Sequence, residues 1–411
     1  MMGRSGSLRS NNPLTLVLLL FLLTGQMQLC AAGSLFDDDS PLQIHGFLTQ
    51  GYVKTSDNSF FGNSEDGSTE FREIGVNLSY RISPKLMASG QLLSRRAGGM
   101  YDGSPAVDYA QFDYSPYISE TGRAGIIVGR YKNVLGFYND TRDVASTRPS
   151  IFLPQVIYWD RVRNTVLSND GIRLYGELHQ GDHSLYLNFG SGKSLIDENM
   201  ESTYLINDFN PDLSQQGLNL IGRLLYEWQG GRLRIALSGV KLDLNGTMSG
   251  LPSPLPPTLS GSLGIEYWLA SAQYNEGPWS LTLEYMQEPL EYSGFGSILD
   301  SNNTTVDGYY LQGSYRLAAD WELLLRYEEG HFDKDDPDGS GRSAIFGRPA
   351  HTSFSKLTTL GLLWEPTEQL ILRAEYGRAN GTMFLSSVEN PDLLSMTQHW
   401  NMFSLLVSYG F

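Results

Sequence analysis

Asn401-Met402-Phe403-Ser404-Leu405-Leu406-Val407-Ser408-Tyr409-Gly410-Phe411 closes the chain and splits into two alternating sets. Phe403, Leu405, Val407, Tyr409 and Phe411 are large and apolar, whereas Met402, Ser404, Leu406, Ser408 and Gly410 are smaller and more polar. A period of two means a strand with two unlike faces. The first face suits hydrocarbon and the second suits a lumen.

The other end of the chain fits the same reading. Arg4 and Arg9 precede an apolar run from Leu14 to Leu23, and Cys30-Ala31-Ala32 places small residues before a cut. This pattern predicts a secretory signal peptide over residues 1–32, cleaved after Ala32 and too short for a spanning helix. Its removal leaves no cysteine and, by taking Arg4 and Arg9, shifts the net charge from −16 to −18. So acidic a chain lacks the basic footprint of nucleic-acid binding, and no later apolar run is long enough for a membrane helix. Neither a linker nor a short-period repeat divides residues 33–411, which read as one domain.

Alternation recurs along that domain: Ile74/Val76/Leu78/Tyr80, Ile172/Leu174/Leu178, Trp279/Leu281/Leu283/Tyr285, Trp321/Leu323/Leu325/Tyr327 and Leu370/Leu372/Ala374/Tyr376. Tight turns such as Ser83-Pro84-Lys85, Gln180-Gly181-Asp182 and Asn275-Glu276-Gly277-Pro278 join many neighbours, with residues that suit hairpins. Between the turns lie long polar loops near 54–70, 95–105, 132–168, 191–216, 245–262, 291–306, 331–354 and 379–398. Eight long loops and seven short turns require sixteen strands, with both termini on the short-turn side. The predicted class is all-β: a transmembrane antiparallel β-barrel with long outer loops and short periplasmic turns. Tyr80, Tyr226, Trp228, Tyr274, Trp279, Tyr315, Trp321 and Trp364 sit near the turns, where an interfacial girdle belongs.

Strand parity then assigns the charges. If Trp279 to Tyr285 faces lipid, Glu284 and Glu288 face inward, and the same holds for Arg173 and Glu177, Arg223 and Glu227, Arg326 and Glu328, and Arg373 and Glu375. An ionised group on the lipid face would cost ~2 to 4 kcal/mol at the midplane. The expectation is a wet lumen lined by charges of both signs.

The third long loop, 132–168, departs from the others. It carries Asp140, Arg142, Asp143, Arg148, Asp160, Arg161 and Arg163, and mixes them with Ile151, Phe152, Leu153, Ile157, Tyr158 and Trp159. Bulky apolar residues at this density need a surface to pack on, and the inner wall is the nearest.

Strand number, a terminal Phe and a long third loop after the fifth strand together resemble the general porin family of Gram-negative outer membranes. In that family the third loop folds into the barrel as an eyelet opposite a basic wall, and Phe411 would be the signal read by the barrel-assembly machinery. The resemblance spans the whole mature chain, although the Pro-Glu-Phe-Gly-Gly type stretch of enteric porin loops is absent. By position, the seven loop charges are candidates for the constriction. Arg95, Arg96, Arg130, Arg173, Arg223, Glu284, Arg326 and Arg373 are candidates for the pore wall. Arg130 shares the parity of Ile126 and Val128, so a bulge would be needed to turn it inward.

Catalytic patterns are scarce. Gly190-Ser191-Gly192-Lys193-Ser194 lacks the first glycine of a phosphate loop, the six His show no metal spacing, and no Gly-x-Ser-x-Gly elbow occurs. The expected function is a porin: a water-filled channel for passive diffusion of small hydrophilic solutes and ions, with no cofactor, metal site or catalytic residue. A substrate-specific channel is the alternative, and an outer-membrane barrel enzyme a more distant one. Expected partners are membrane lipid, lipopolysaccharide, the assembly machinery and, from the resemblance, two further copies in a homotrimer.

Overall fold

Sixteen antiparallel strands follow one another around a closed sheet in the computed structural model, which describes residues 40–296, 299–300 and 303–411. The predicted leader, with its cut at Ala32, lies outside the described residues. The strands are β1 (Leu42–Thr55), β2 (Ser68–Ser83), β3 (Leu86–Ala97), β4 (Tyr101–Ser119), β5 (Gly122–Lys132), β6 (Ser168–Gln180) and β7 (His183–Ser194). β8 comes in two pieces, Pro211–Gln215 and Asn219–Trp228, which pair in turn with β9 (Leu233–Ser249). Gly217 separates the pieces, in a left-handed conformation (φ +73°) that suits glycine. Then follow β10 (Thr258–Glu276), β11 (Trp279–Ser293), β12 (Thr304–Ala318), β13 (Trp321–His331), β14 (Phe354–Thr367), β15 (Leu370–Gly381) and β16 (His399–Gly410). β1 pairs with β16 from Phe47 opposite Gly410 to Thr55 opposite Met402, so no edge is left open.

Turns and loops alternate as expected, with one exception. The second outer connection shrinks to residues 98–100, because β3 and β4 extend by a bulged pairing that reaches from Ser94 to Arg96. Parity is kept on nearly every strand: Leu281 and Leu283 are about half exposed on the outer surface, while Thr282 and Glu284 are buried. The turn-side girdle is present in ring pairs, Trp321 stacked on Trp364 (5.4 Å, 10°) and Trp279 tilted against Tyr315 (4.4 Å, 51°). A second group of outward tyrosines, Tyr285 and Tyr376 among them, lies six residues further along the strands from their turn-side ends. Two aromatic belts flanking an apolar band mark a surface made for a bilayer. Among the described residues no helix is long and apolar enough to cross a membrane.

Because every strand pairs on both sides within the ring, the fold should resist detergent until heated. The mature protein is expected to migrate faster on unboiled than on boiled gels and to give a β-type circular dichroism spectrum. A helical spectrum would contradict the fold.

Candidate functional site

The site begins with what loop 3 (133–167) carries. Its apolar residues cannot remain in water without loss, at ~1.5 to 3 kcal/mol for each fully buried Ile, Leu or Phe, and the barrel offers two walls. Leu135, Phe137, Tyr138, Val156, Ile157 and Tyr158 join a cluster with Leu225, Leu242, Leu269, Met286 and Tyr310 on β8 to β12. Ala145, Ile151 and Phe152 join a second cluster with Phe71, Leu357, Trp400 and Leu406 on β2, β14 and β16. The loop therefore crosses the lumen from wall to wall.

Other outer loops fold in with it. Phe60 and Phe61 from loop 1 and Phe384 and Leu385 from loop 8 complete the second cluster, while Met200, Tyr204 and Phe295 enter the first. Glu389 fastens the rim, accepting hydrogen bonds from the backbone N–H groups of Phe61 (3.0 Å), Gly62 (2.6 Å) and Gly99 (3.1 Å). Burial is the largest influence on this carboxyl and raises its pKa, against the lowering effect of those N–H groups. The same signal that marked loop 3, bulky apolar residues in an outer loop, was present at Phe60-Phe61 and Met383-Phe384-Leu385.

Charges on the wall mostly hold the loop's backbone. Glu284 accepts from Phe137 N (3.2 Å), Tyr158 Oη (2.7 Å), Tyr310 Oη (2.8 Å) and Ser271 Oγ (2.6 Å). Glu375 accepts from Ile151 N at 2.6 Å and Glu328 from Val156 N at 3.3 Å. Arginines meet carbonyls in the same way: Arg223 donates to Gly136 O (2.7 Å) and Arg326 to Phe152 O (3.1 Å), while Arg173 donates to Lys132 O (2.8 Å) at the end of β5, where the loop begins. Arg373 donates to Arg148 O at 2.6 Å and to Pro149 O. Buried backbone groups of an irregular loop need such partners. The wet, charge-lined lumen expected from parity is thus corrected at this level: Glu284, Glu328, Arg326 and Arg373 are buried against the loop.

The loop's own charges form a network with β2 to β5. Arg95 donates from Nε to Glu73 (3.1 Å) and from Nη2 to Asp160 (3.0 Å), and Arg142 reaches Asp160 at 3.2 Å. Arg148 lies 3.0 Å from the second oxygen of Glu73. Asp143 pairs with Lys132 and Arg163, and Lys132 also meets Asp108 at 2.5 Å. Glu73, Asp108 and Lys132 were not singled out from the sequence, although the parity of Ile74 and Val76 already turns Glu73 inward. Asp140 stays half-buried, 3.9 Å from Arg223. Arg161 donates to Leu385 O (3.4 Å) and Ser202 O (3.3 Å), tying loop 3 to loops 8 and 4.

Two wall candidates face the other way. Arg96 follows the inward Arg95 by one residue, so the pleat turns it outward, where it pairs with Glu70 at 3.0 Å. Arg130 also points outward, to Asp170 at 2.7 Å, in line with exposed Val128. The irregular conformation at Gly129 (φ +121°) does not reverse its side, so neither residue belongs to the lumen. Among the described residues no three His, Cys, Asp or Glu side chains are grouped to hold a metal ion.

Asp140 and Asp143 should therefore behave differently. Removing one partner of a buried charge pair costs ~3 to 5 kcal/mol, so Asp143→Asn should loosen loop 3 and raise conductance. Asp140→Asn, at a half-buried site with a long contact, should leave the loop in place. Proteolysis of loop 3 in the two variants, equal to wild type in both, would show that the network does not hold it.

Neither a protein-family model nor a curated protein matches the sequence. Solved structures do match it in shape. OmpT, an outer-membrane protein of Vibrio cholerae, aligns at a TM-score of 0.55 and 14% identity over 92% of this chain and 100% of its own. The outer-membrane channel DcaP of Acinetobacter baumannii aligns at 0.55 and 11% over 90% and 97%. An anion-selective porin from Comamonas acidovorans aligns at 0.55 and 11% over 90% and 99%. At these identities the likeness is one of fold, and the fold is that of a bacterial outer-membrane β-barrel crossing the membrane many times.

Proposed function

We propose that the protein is an outer-membrane channel for small hydrophilic solutes, closed or narrowed by loop 3, and not an enzyme. The observation that carries this reading is the loop itself: it crosses a sixteen-stranded lumen, which side chains alone would not fill, and is clamped to both walls. Its backbone is held by wall charges, Glu284, Glu375 and Arg373 among them. The buried contacts narrow the lumen at the loop's level, where Asp140, Arg173 and Arg223 stay partly exposed, and a narrowed passage favours a selective route over a permanently wide one. Structures of similar fold include a channel and a porin, which supports the same reading. A homotrimer is proposed on the same footing, since one matching structure of the Vibrio protein is described as a trimer form.

Planar-bilayer recording with ion substitution tests this proposal. Discrete conductance steps whose reversal potential depends on ion identity are expected. A membrane that stays silent under reconstitution conditions giving heat-modifiable barrels would refute the channel.

A further inference from the structure

We propose that the cavity between loop 3 and the wall of β2 and β3 binds one small monovalent anion of chloride size. Four guanidinium groups line it, those of Arg95, Arg142, Arg148 and Arg163, against two carboxylates, Glu73 and Asp160, with apolar side chains of loop 3 completing the lining. The space amounts to ≈ 10 Å³, room for a single small sphere. Of the common anions, a monatomic halide makes the smallest demand on a space of this size.

Two independent features point to an anion and not merely to water. Arg95 and Arg142 are over nine-tenths buried, and the Nη1 atom of each has no hydrogen-bond partner among the described residues. The ion pairs also do not balance. Arg95, Lys132, Arg142, Arg148 and Arg163 meet Glu73, Asp108, Asp143 and Asp160, five cations against four anions. Buried charge without a counter-charge is costly. Water could satisfy the N–H groups but would leave the excess positive charge in place. One halide satisfies both and would complete the joint between loop 3 and the β2–β3 wall. The proposal concerns the folded loop and does not depend on whether the barrel conducts.

Crystals of the mature protein soaked in bromide should give an anomalous peak in this cavity; its absence would overturn the site. In solution, the midpoint of the heat-modification transition should rise by roughly 2 °C in potassium chloride over potassium gluconate at equal ionic strength. Arg142→Gln removes the excess charge and should abolish that difference, whereas Asp160→Asn adds to it and should enlarge the difference. A halide effect unchanged in Arg142→Gln would place the ion elsewhere and refute the assignment. If Arg142→Gln does not assemble, the bromide map of the unaltered chain still decides.

Discussion

Deleting Thr141 to Val156 is expected to raise single-channel conductance several-fold while the barrel still folds. The segment includes Ala145, Ile151 and Phe152, which pack on the β2, β14 and β16 wall, and Leu153 and Val156, which pack on the opposite one, together with Arg142, Asp143 and Arg148 of the ion network. None of these residues lies in a strand, so the hydrogen-bond ring that closes the barrel is untouched. The deletion leaves wall charges such as Glu375, Arg326 and Arg373 without the loop backbone they now hold, and in a lumen open to water they rehydrate. Charges in a confined aqueous passage are screened less than on an open surface, so selectivity should change along with conductance. Conductance equal to that of the full chain would mean that loop 3 does not limit flow.

Removing Phe411, or replacing it with Glu, is expected to reduce assembled barrel in the outer membrane to less than half with no change in synthesis. The residue sits at the seam where the sheet closes. Its N–H donates to Gly46 O at 3.0 Å and its carbonyl accepts from Gly46 N at 2.9 Å. Its ring covers Gly46, where any side chain would collide with it. The aromatic ring is about half exposed, so its burial and two terminal hydrogen bonds stabilise the finished barrel by only ~1 to 3 kcal/mol. A larger loss of yield than of heat stability would therefore point to a role in recognition during assembly. Equal yield from the truncated chain would show that the terminal strand was misread.

Much of this architecture could be read along the chain because barrel strands report on themselves. Each residue of β11 or β13 faces lipid or lumen according to parity, and the cost of a charge in lipid keeps Glu284 and Arg326 on one side. Turn chemistry at Gly181 and Gly277 marked the short connections for the same local reason. Position along the chain misplaced Arg96 and Arg130 where parity does not: adjacent residues cannot both face the lumen on a regular strand, and Arg130 follows its own strand's pleat. What the inward charges do was not legible, since that depends on a loop more than a hundred residues away: Phe137 reaches Glu284, and Ile151 reaches Glu375. Nothing local distinguishes a carboxylate waiting for solute from one accepting a backbone N–H. Loops 1, 4 and 8 read as outer polar loops despite Phe60-Phe61 and Phe384-Leu385, and their inward packing narrows the lumen that parity leaves open.

The central claim is that loop 3 lies docked inside the barrel and controls it. Its most direct test is a cross-link between loop and wall. A Cβ built on Gly330 of β13 would lie 3.3 Å from Val156 Cβ, near the spacing of about 3.5 to 4.5 Å that a disulfide takes. The chain's single cysteine, Cys30, falls within the expected leader. In Val156→Cys/Gly330→Cys the disulfide should form on oxidation without altering gel mobility of the unboiled barrel, and should hold single-channel current at its lowest level until a reductant restores wild-type openings. Two free thiols that stay unlinked under oxidation and react with a membrane-impermeant maleimide would place loop 3 outside the barrel and contradict the account.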